Sequence, residues 1–233
     1  MMDFGNPSYY LCMELYHVLN RGVEKRQIFM DTQDYARFIH DMFEFNDSKP
    51  AGNAYRKFKP GKMMDLGNPS LERDRIVDVH GWCLMKNHYH LLISELVEGG
   101  LVLFMRKMNV GYANYFNTRY TRDGGLFQGK TKKIRINTDA HFLHILNYIH
   151  LNPLDYLKGA KDWRKRTIES TTRAKEHLSK YRWSSYQDYC GTKNFPSILS
   201  TDLFGEPPSR FQKKTLAYLQ DIEMTNIRPY VLE

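Results

Sequence analysis

The sequence predicts an α+β protein, a ferredoxin-like split βαβ sandwich, from three observations. Apolar patterns follow one another in the order strand, helix, strand, strand, helix, strand, helix. The first six match an antiparallel sheet with helices on one face, and the seventh leaves an extra helix and a tail. The chain has 233 residues, 42% hydrophobic and 26% charged, enough for one large domain or a compact domain with additions.

Each element has its own signal. Glu14-Leu15-Tyr16-His17-Val18-Leu19-Asn20 reads as the first strand, closed by Arg21-Gly22. Tyr35, Phe38, Ile39, Met42 and Phe43 then recur at helical spacing behind a cap at Asp31 or Thr32. Between 46 and 75 the pattern gives way to Ser, Pro, Gly, Asn and Lys, a long insertion. It carries Met64-Asp65-Leu66-Gly67-Asn68-Pro69-Ser70, nearly a copy of Met2-Asp3-Phe4-Gly5-Asn6-Pro7-Ser8. Ile76 to Leu84 and His88 to Glu95 read as a hairpin turning at Met85-Lys86-Asn87. A second helix, Leu101 to Tyr120, has the stripe Leu101, Phe104, Met105, Met108, Tyr112, Tyr115 and Phe116. Lys132 to Ile136 is the fourth strand. The third helix starts near the cap Thr138 and stops before Pro153, since the residue preceding proline resists helical conformation. A further helix is expected around Phe211 to Asp221. These patterns divide the chain into a domain over 9–155 and a basic extension over 156–233, packed on it or flanking it.

Composition narrows the class. No apolar run approaches the roughly 20 residues of a membrane span, and no secretory signal is read at the N-terminus. Cys12, Cys83 and Cys190 are odd in number and widely spaced, which suits reduced thiols better than disulfides or a zinc finger. A cytoplasmic, nucleoid-associated protein without a membrane partner is expected. The formal charge of +8 favours a polyanion. Its densest stretch is Arg119, Arg122, Lys130, Lys132, Lys133 and Arg135 against Asp123 alone. With Phe127 and Gln128 it is the best candidate for DNA contact, lysines and arginines on phosphates and Gln128 at a base edge. A solvated loop and edge strand is the alternative.

His88-Tyr89-His90 is the first constellation with chemistry. In a strand both imidazoles share a face while Tyr89 points away, which makes a metal half-site or simply surface histidines at a hairpin end. On the third helix Tyr148 and Asn152 lie four apart, at the flank of the stripe Phe142, Ile145, Leu146 and Ile149. They are either a reactive pair between core and solvent or a border tyrosine with a helix-terminal asparagine.

The motifs together resemble a family. Met85-Lys86-Asn87-His88-Tyr89-His90-Leu91-Leu92-Ile93 resembles the histidine strand of the HUH single-tyrosine transposases. Tyr16-His17-Val18 with Asn20-Arg21-Gly22 resembles their first strand and its exit. Tyr112-Ala113-Asn114-Tyr115-Phe116-Asn117, Gly125-Leu126-Phe127-Gln128-Gly129-Lys130, Tyr148-Ile149-His150-Leu151-Asn152-Pro153 and Tyr181-Arg182-Trp183-Ser184-Ser185-Tyr186 follow in the family's order. The resemblance spans about 16–191 and is nearest to the REP-associated tyrosine transposases. It departs at the 46–75 insertion, at Lys130 where arginine is more usual, and in the tail.

The resemblance implies a metal-dependent single-strand DNA endonuclease and transposase. Tyr148 would be the catalytic nucleophile, forming a 5′-phosphotyrosine. His88, His90 and Asn152 would hold Mg²⁺ or Mn²⁺, and Arg21 would contact DNA. The implied partner is single-stranded or hairpin DNA, without a nucleotide cofactor; no Walker-type glycine loop is present. Tyr112 and Tyr115 are better explained by core packing, and Tyr120 by the end of its helix. The short link at Asn137 favours a monomer, or a dimer with cis sites. Two other readings compete: a non-catalytic single-stranded nucleic-acid-binding protein of ferredoxin-like fold, and a zinc hydrolase, which lacks a general base beside the pair.

Overall fold

The computed structural model describes residues 14–50, 73–165 and 167–220. The repeated Met-Asp segments, most of the insertion and the end of the tail lie outside the described residues. Four strands form one antiparallel sheet: β1 (Leu15–Arg21), β2 (Val77–Met85), β3 (His88–Glu95) and β4 (Lys132–Arg135), in the spatial order β2-β3-β1-β4. Helices α1 (Thr32–Glu44) and α2 (Gly100–Arg119) make the two crossovers, and α3 (Asp139–Leu151) follows β4. This is the expected α+β class.

Helix α1 begins where the Asp31 carboxylate accepts from the backbone N–H of Gln33 and Asp34, satisfying two otherwise orphaned donors. Its stripe of Tyr35, Phe38, Ile39 and Met42 is buried against Val18, Tyr89, Leu91 and Ile93 of the sheet. Helix α2 packs beside it on the same face, with Gly111 close to the ring of Phe45. An added Cβ there would stand 2.4 Å from that ring. The polar ends of the insertion are anchored. Asn46 Oδ1 accepts from Ile76 and Val77 N–H, and its Nδ2 donates to Val77 O at 2.9 Å.

Strand β2 carries a bulge that the sequence pattern does not announce. Val79 pairs with Ile93 and Gly81 with Leu92, so His80 is the extra residue. A period-2 strand cannot turn both Val79 and Trp82 toward one core; the inserted residue resets the alternation and lets it do so. Cys83 and Met85 then face the other way, alongside His90 and His88.

That other face is covered as well, by the extra helix and the segment after it. Thr138 caps α3 by accepting from His141 N–H, and the short link from β4 folds the helix back across the sheet. Gly81 permits the close approach: a Cβ there would sit 2.6 Å from Leu146 Cδ1. The segment after α3 adds α4 (Thr171–Lys180), α5 (Tyr186–Tyr189) and α6 (Pro208–Tyr218). Trp163, Ala174, Leu178, Tyr186, Tyr189 and Phe211 join Ile145, Ile149 and Leu92 in a second core.

The Tyr181 to Tyr186 motif closes the β2 edge. Leu84 N–H donates to Trp183 O, Ser185 N–H donates to Trp82 O, and the Tyr181 hydroxyl donates to Leu84 O. An edge left open would offer unpaired backbone groups to other chains. Among the described residues, no helix is long and apolar enough to cross a membrane.

Candidate active site

Antiparallel pairing assembles the site on the α3 side of the sheet. Arg21 lies opposite His88, Leu19 opposite His90 and His17 opposite Leu92, so Arg21, His17, His88 and His90 share one face. His17 Nε2 is 2.9 Å from His90 Nδ1, and the two rings stack with centroids 5.2 Å apart. His88 Nδ1 lies 2.6 Å from Asn87 Oδ1. An amide oxygen only accepts, so His88 carries its proton on Nδ1 and its lone pair on Nε2. Among the described residues neither His88 Nε2 nor His90 Nε2 has a hydrogen-bond partner.

Tyr148 comes down on this pair from α3. Its ring centroid is 5.8 Å from that of His90 and 5.9 Å from that of His17, both edge to face. Tyr148 is only 6% exposed, because Trp163 covers it at 5.7 Å. The flank between core and solvent expected for Tyr148 and Asn152 is therefore an interior: the C-terminal extension packs over the helix that periodicity left open. Asn152 is fully buried. Its Nδ2 donates to Tyr148 O at 2.9 Å and Ile149 O at 3.4 Å, and its Oδ1 accepts from Arg164 at 3.0 Å. Both ends of the amide are engaged, one closing the helix and the other holding an arginine.

Tyr89, Tyr112, Tyr115 and Tyr120 are engaged elsewhere. Tyr89 is on the opposite face with its hydroxyl on Asn109, Tyr112 donates to Ile28 O, and Tyr115 and Tyr120 both donate to Asp34.

The site's electrostatics keep the imidazoles neutral. Burial pushes His88 down to about 4, helped by Arg21 and Arg164 and opposed by Asp155. Burial, then His88, His17 and the two arginines, hold His90 well below the usual imidazole range. His17 falls to about 3 through burial and the nearby His141. A neutral imidazole offers a nitrogen lone pair to a metal. Among the described residues no three His, Cys, Asp or Glu side chains are grouped to hold a metal. The donors present thus suit a two-imidazole half-site. Asn152 would add an oxygen only by giving up its contact with Arg164.

The basic stretch separates into parts. Arg119 is locked at the start of α1, with Nη2 2.6 Å from Asp31 Oδ2 and Nη1 2.6 Å from Asp34 Oδ1. It braces two helices. Phe127 is half-buried: it pairs with Gly22 and packs on Tyr89 and Tyr112. Arg122 donates to Asn117 Oδ1, and Arg135 pairs with Glu14 at 2.9 Å. Strand alternation splits the lysines: Lys132 lies opposite Leu19 on the histidine face, and Lys133 opposite Val18 on the other. Gln128 and Lys130 are exposed, and Gln128 N–H donates to Arg21 O at 2.7 Å. Arg21, Gln128, Lys130 and Lys132 therefore remain at the histidine end of the sheet.

Sequence reasoning passed over His17, Asn87, Trp163 and the Asp155–Arg164 pair as site residues. His17 and Arg21 had a signal, since they sit four apart in one strand and must share a face. The others come from loops whose approach no local pattern encodes.

Fold and site together define an α+β protein that gathers a histidine pair and a buried tyrosine on one covered sheet face. No protein-family model and no curated protein matches the chain. Among solved structures, it is similar to that of a REP-associated tyrosine transposase bound to a REP hairpin, at 11% identity and a TM-score of 0.44, covering 84% of this chain and 90% of that one.

Proposed function

We propose that this chain is a metal-dependent enzyme that nicks and rejoins single-stranded or hairpin DNA through a 5′-phosphotyrosine on Tyr148. The observation that carries the reading is the approach of Tyr148 to His90, 5.8 Å between ring centroids within one chain. Two further features support it. The Nε2 atoms of His88 and His90 are buried without a hydrogen-bond partner among the described residues, a costly arrangement unless a ligand uses them. And the sequence motifs resemble those of the single-tyrosine transposases in their order.

His88 and His90 would hold Mg²⁺ or Mn²⁺, with Asn152 as a third ligand once Arg164 releases it. When bound, the ion would supply Lewis-acid polarisation of the scissile phosphate. Tyr148 Oη attacks phosphorus, the bond to the 3′ oxygen breaks, and a 5′-phosphotyrosine remains. The phenol loses its proton and the departing 3′ oxygen gains one. A free phenol ionises near pH 10, so the positive charges of Arg21 and Arg164 near the site assist its attack. The ester conserves bond energy, so a second 3′-hydroxyl reverses the step without a nucleotide cofactor. Arg21, Gln128, Lys130 and Lys132 would bind the strand.

The non-catalytic reading is weakened by the covering of the sheet. Ferredoxin-like proteins that only bind single strands stack bases on exposed sheet aromatics. Here Tyr89 is packed beneath helices on one face, with Phe127 half-buried against it, and α3 closes the other. The test is incubation of the full chain with single-stranded hairpin DNA and Mn²⁺, followed by denaturing electrophoresis. A protein–DNA adduct is expected from the wild type and from none of Tyr148→Phe, His88→Ala and His90→Ala. Absence of a wild-type adduct, or an undiminished one from Tyr148→Phe, would overturn the reading.

A further inference from the structure

Arg164 reaches the tyrosine from outside the sheet motif, on the short helical turn Trp163–Lys165. Its guanidinium is held by Asp155 and Asn152, among others. Nη1 donates to Asp155 Oδ1 at 2.5 Å, and Nη2 donates to Asp155 Oδ2 at 3.1 Å and to Asn152 Oδ1 at 3.0 Å. Trp163 Nε1 also donates to Asp155 Oδ1, at 2.8 Å, which fixes the carboxylate. Cζ of Arg164 lies 4.3 Å from the Trp163 ring centroid and 5.9 Å from that of Tyr148. A forked cation therefore stands beside the ring that faces the histidine pair.

The fork is built for a planar pair of anionic oxygens, which carboxylate and phosphate both present. Asp155 fills that position with a single negative charge. A phosphodiester also carries one, so it presents the guanidinium with the same charge as the carboxylate does. Asp155 and Arg164 are both partly accessible, with side chains 29% and 21% exposed, so a phosphate can compete without the core opening. Trp163 keeps the guanidinium over the site during such an exchange.

We propose that Arg164 is the phosphate-binding residue of this site, trading the oxygens of Asp155 and Asn152 for the non-bridging oxygens of the phosphate that joins Tyr148. The placement on a phosphotyrosine rests on Tyr148 being the nucleophile; phosphate binding by Arg164 does not. The trade also frees Asn152 Oδ1, so the arrival of substrate phosphate completes the polar wall of the site.

The test is calorimetric titration of the full chain with inorganic phosphate, without metal or DNA. Arg164→Gln is expected to weaken phosphate binding by about tenfold or more, the loss of a charge-assisted fork. Asp155→Asn is expected to tighten it, because the competing carboxylate is gone, and a folding defect cannot produce that gain. Equal affinity in the wild type and Arg164→Gln, or no gain in Asp155→Asn, would overturn the proposal. The adduct assay runs in parallel. Phosphate affinity that follows Arg164 in a protein forming no adduct supports the phosphate site and sinks the nucleophile. Adducts with phosphate affinity indifferent to Arg164 sink the phosphate site and spare the nucleophile.

Discussion

His150 and His80 show how much of this protein's chemistry is fixed by burial. His150 has no exposure and lies among the rings of Tyr186, Tyr189 and Phe211, with Nε2 2.7 Å from Ser185 Oγ. Burial pushes its pKa down to about 3, and burial also lowers His80 despite the hydrogen bond to Ser200 O. An exposed imidazole titrates near 6.5, so the unfolded chain takes up protons that the folded chain refuses. Stability is complete above about pH 6.5 and falls as pH drops from there toward 3, by at most about 1.4 kcal/mol per pH unit for each such group. Urea unfolding between pH 7 and 4.5 checks this. His150→Gln should show a shallower pH slope than the wild type, and an identical slope would contradict it. At this scale the sequence is least legible. Arg119 and Lys130 look alike in a string of basic residues, yet Asp31 and Asp34 stand beside only the first. His17 reads as one strand residue among seven until pairing brings His90 within 2.9 Å.

Elements were more legible, because their signals are local. The stripe and cap of α1, the hairpin between β2 and β3, and the Thr138 start of α3 all follow from spacing and end chemistry within a few residues. The bulge at His80 and the covering of α3 do not, since each answers to a partner distant in the chain. The contact between the Tyr181 to Tyr186 motif and β2 is such a case. Ser185 Oγ accepts from Trp82 N–H at 2.9 Å and also meets His150 Nε2, tying the β2 edge to α3 with one hydroxyl. Ser185→Ala leaves the fully buried Trp82 amide without its acceptor and should cost about 1–3 kcal/mol. Urea denaturation measures it, and a change below about 0.5 kcal/mol would show that the edge closes without this hydroxyl.

Across the whole molecule, the C-terminal extension packs over the α3 that already covers the second sheet face and so puts the tyrosine inside. It also bears on assembly. Tyr148 meets His17 and His90 of its own chain, and Ile136 N–H donates to Leu15 O immediately before the Thr138 cap. That leaves little chain for reaching a second copy. Mixing Tyr148→Phe with a His88→Ala, His90→Ala double variant should therefore recover no nicking, while restored nicking after subunit exchange would reveal a shared site.

The most direct measurement is to locate the bond itself. The full chain is incubated with single-stranded hairpin DNA and Mn²⁺, digested with protease and nuclease, and its peptides are read by mass spectrometry. A nucleotide linked through its 5′ phosphate to Tyr148, and to no other tyrosine, is the expected result. A nucleotide on another side chain, or cleaved DNA without any nucleotide–protein bond, would contradict it.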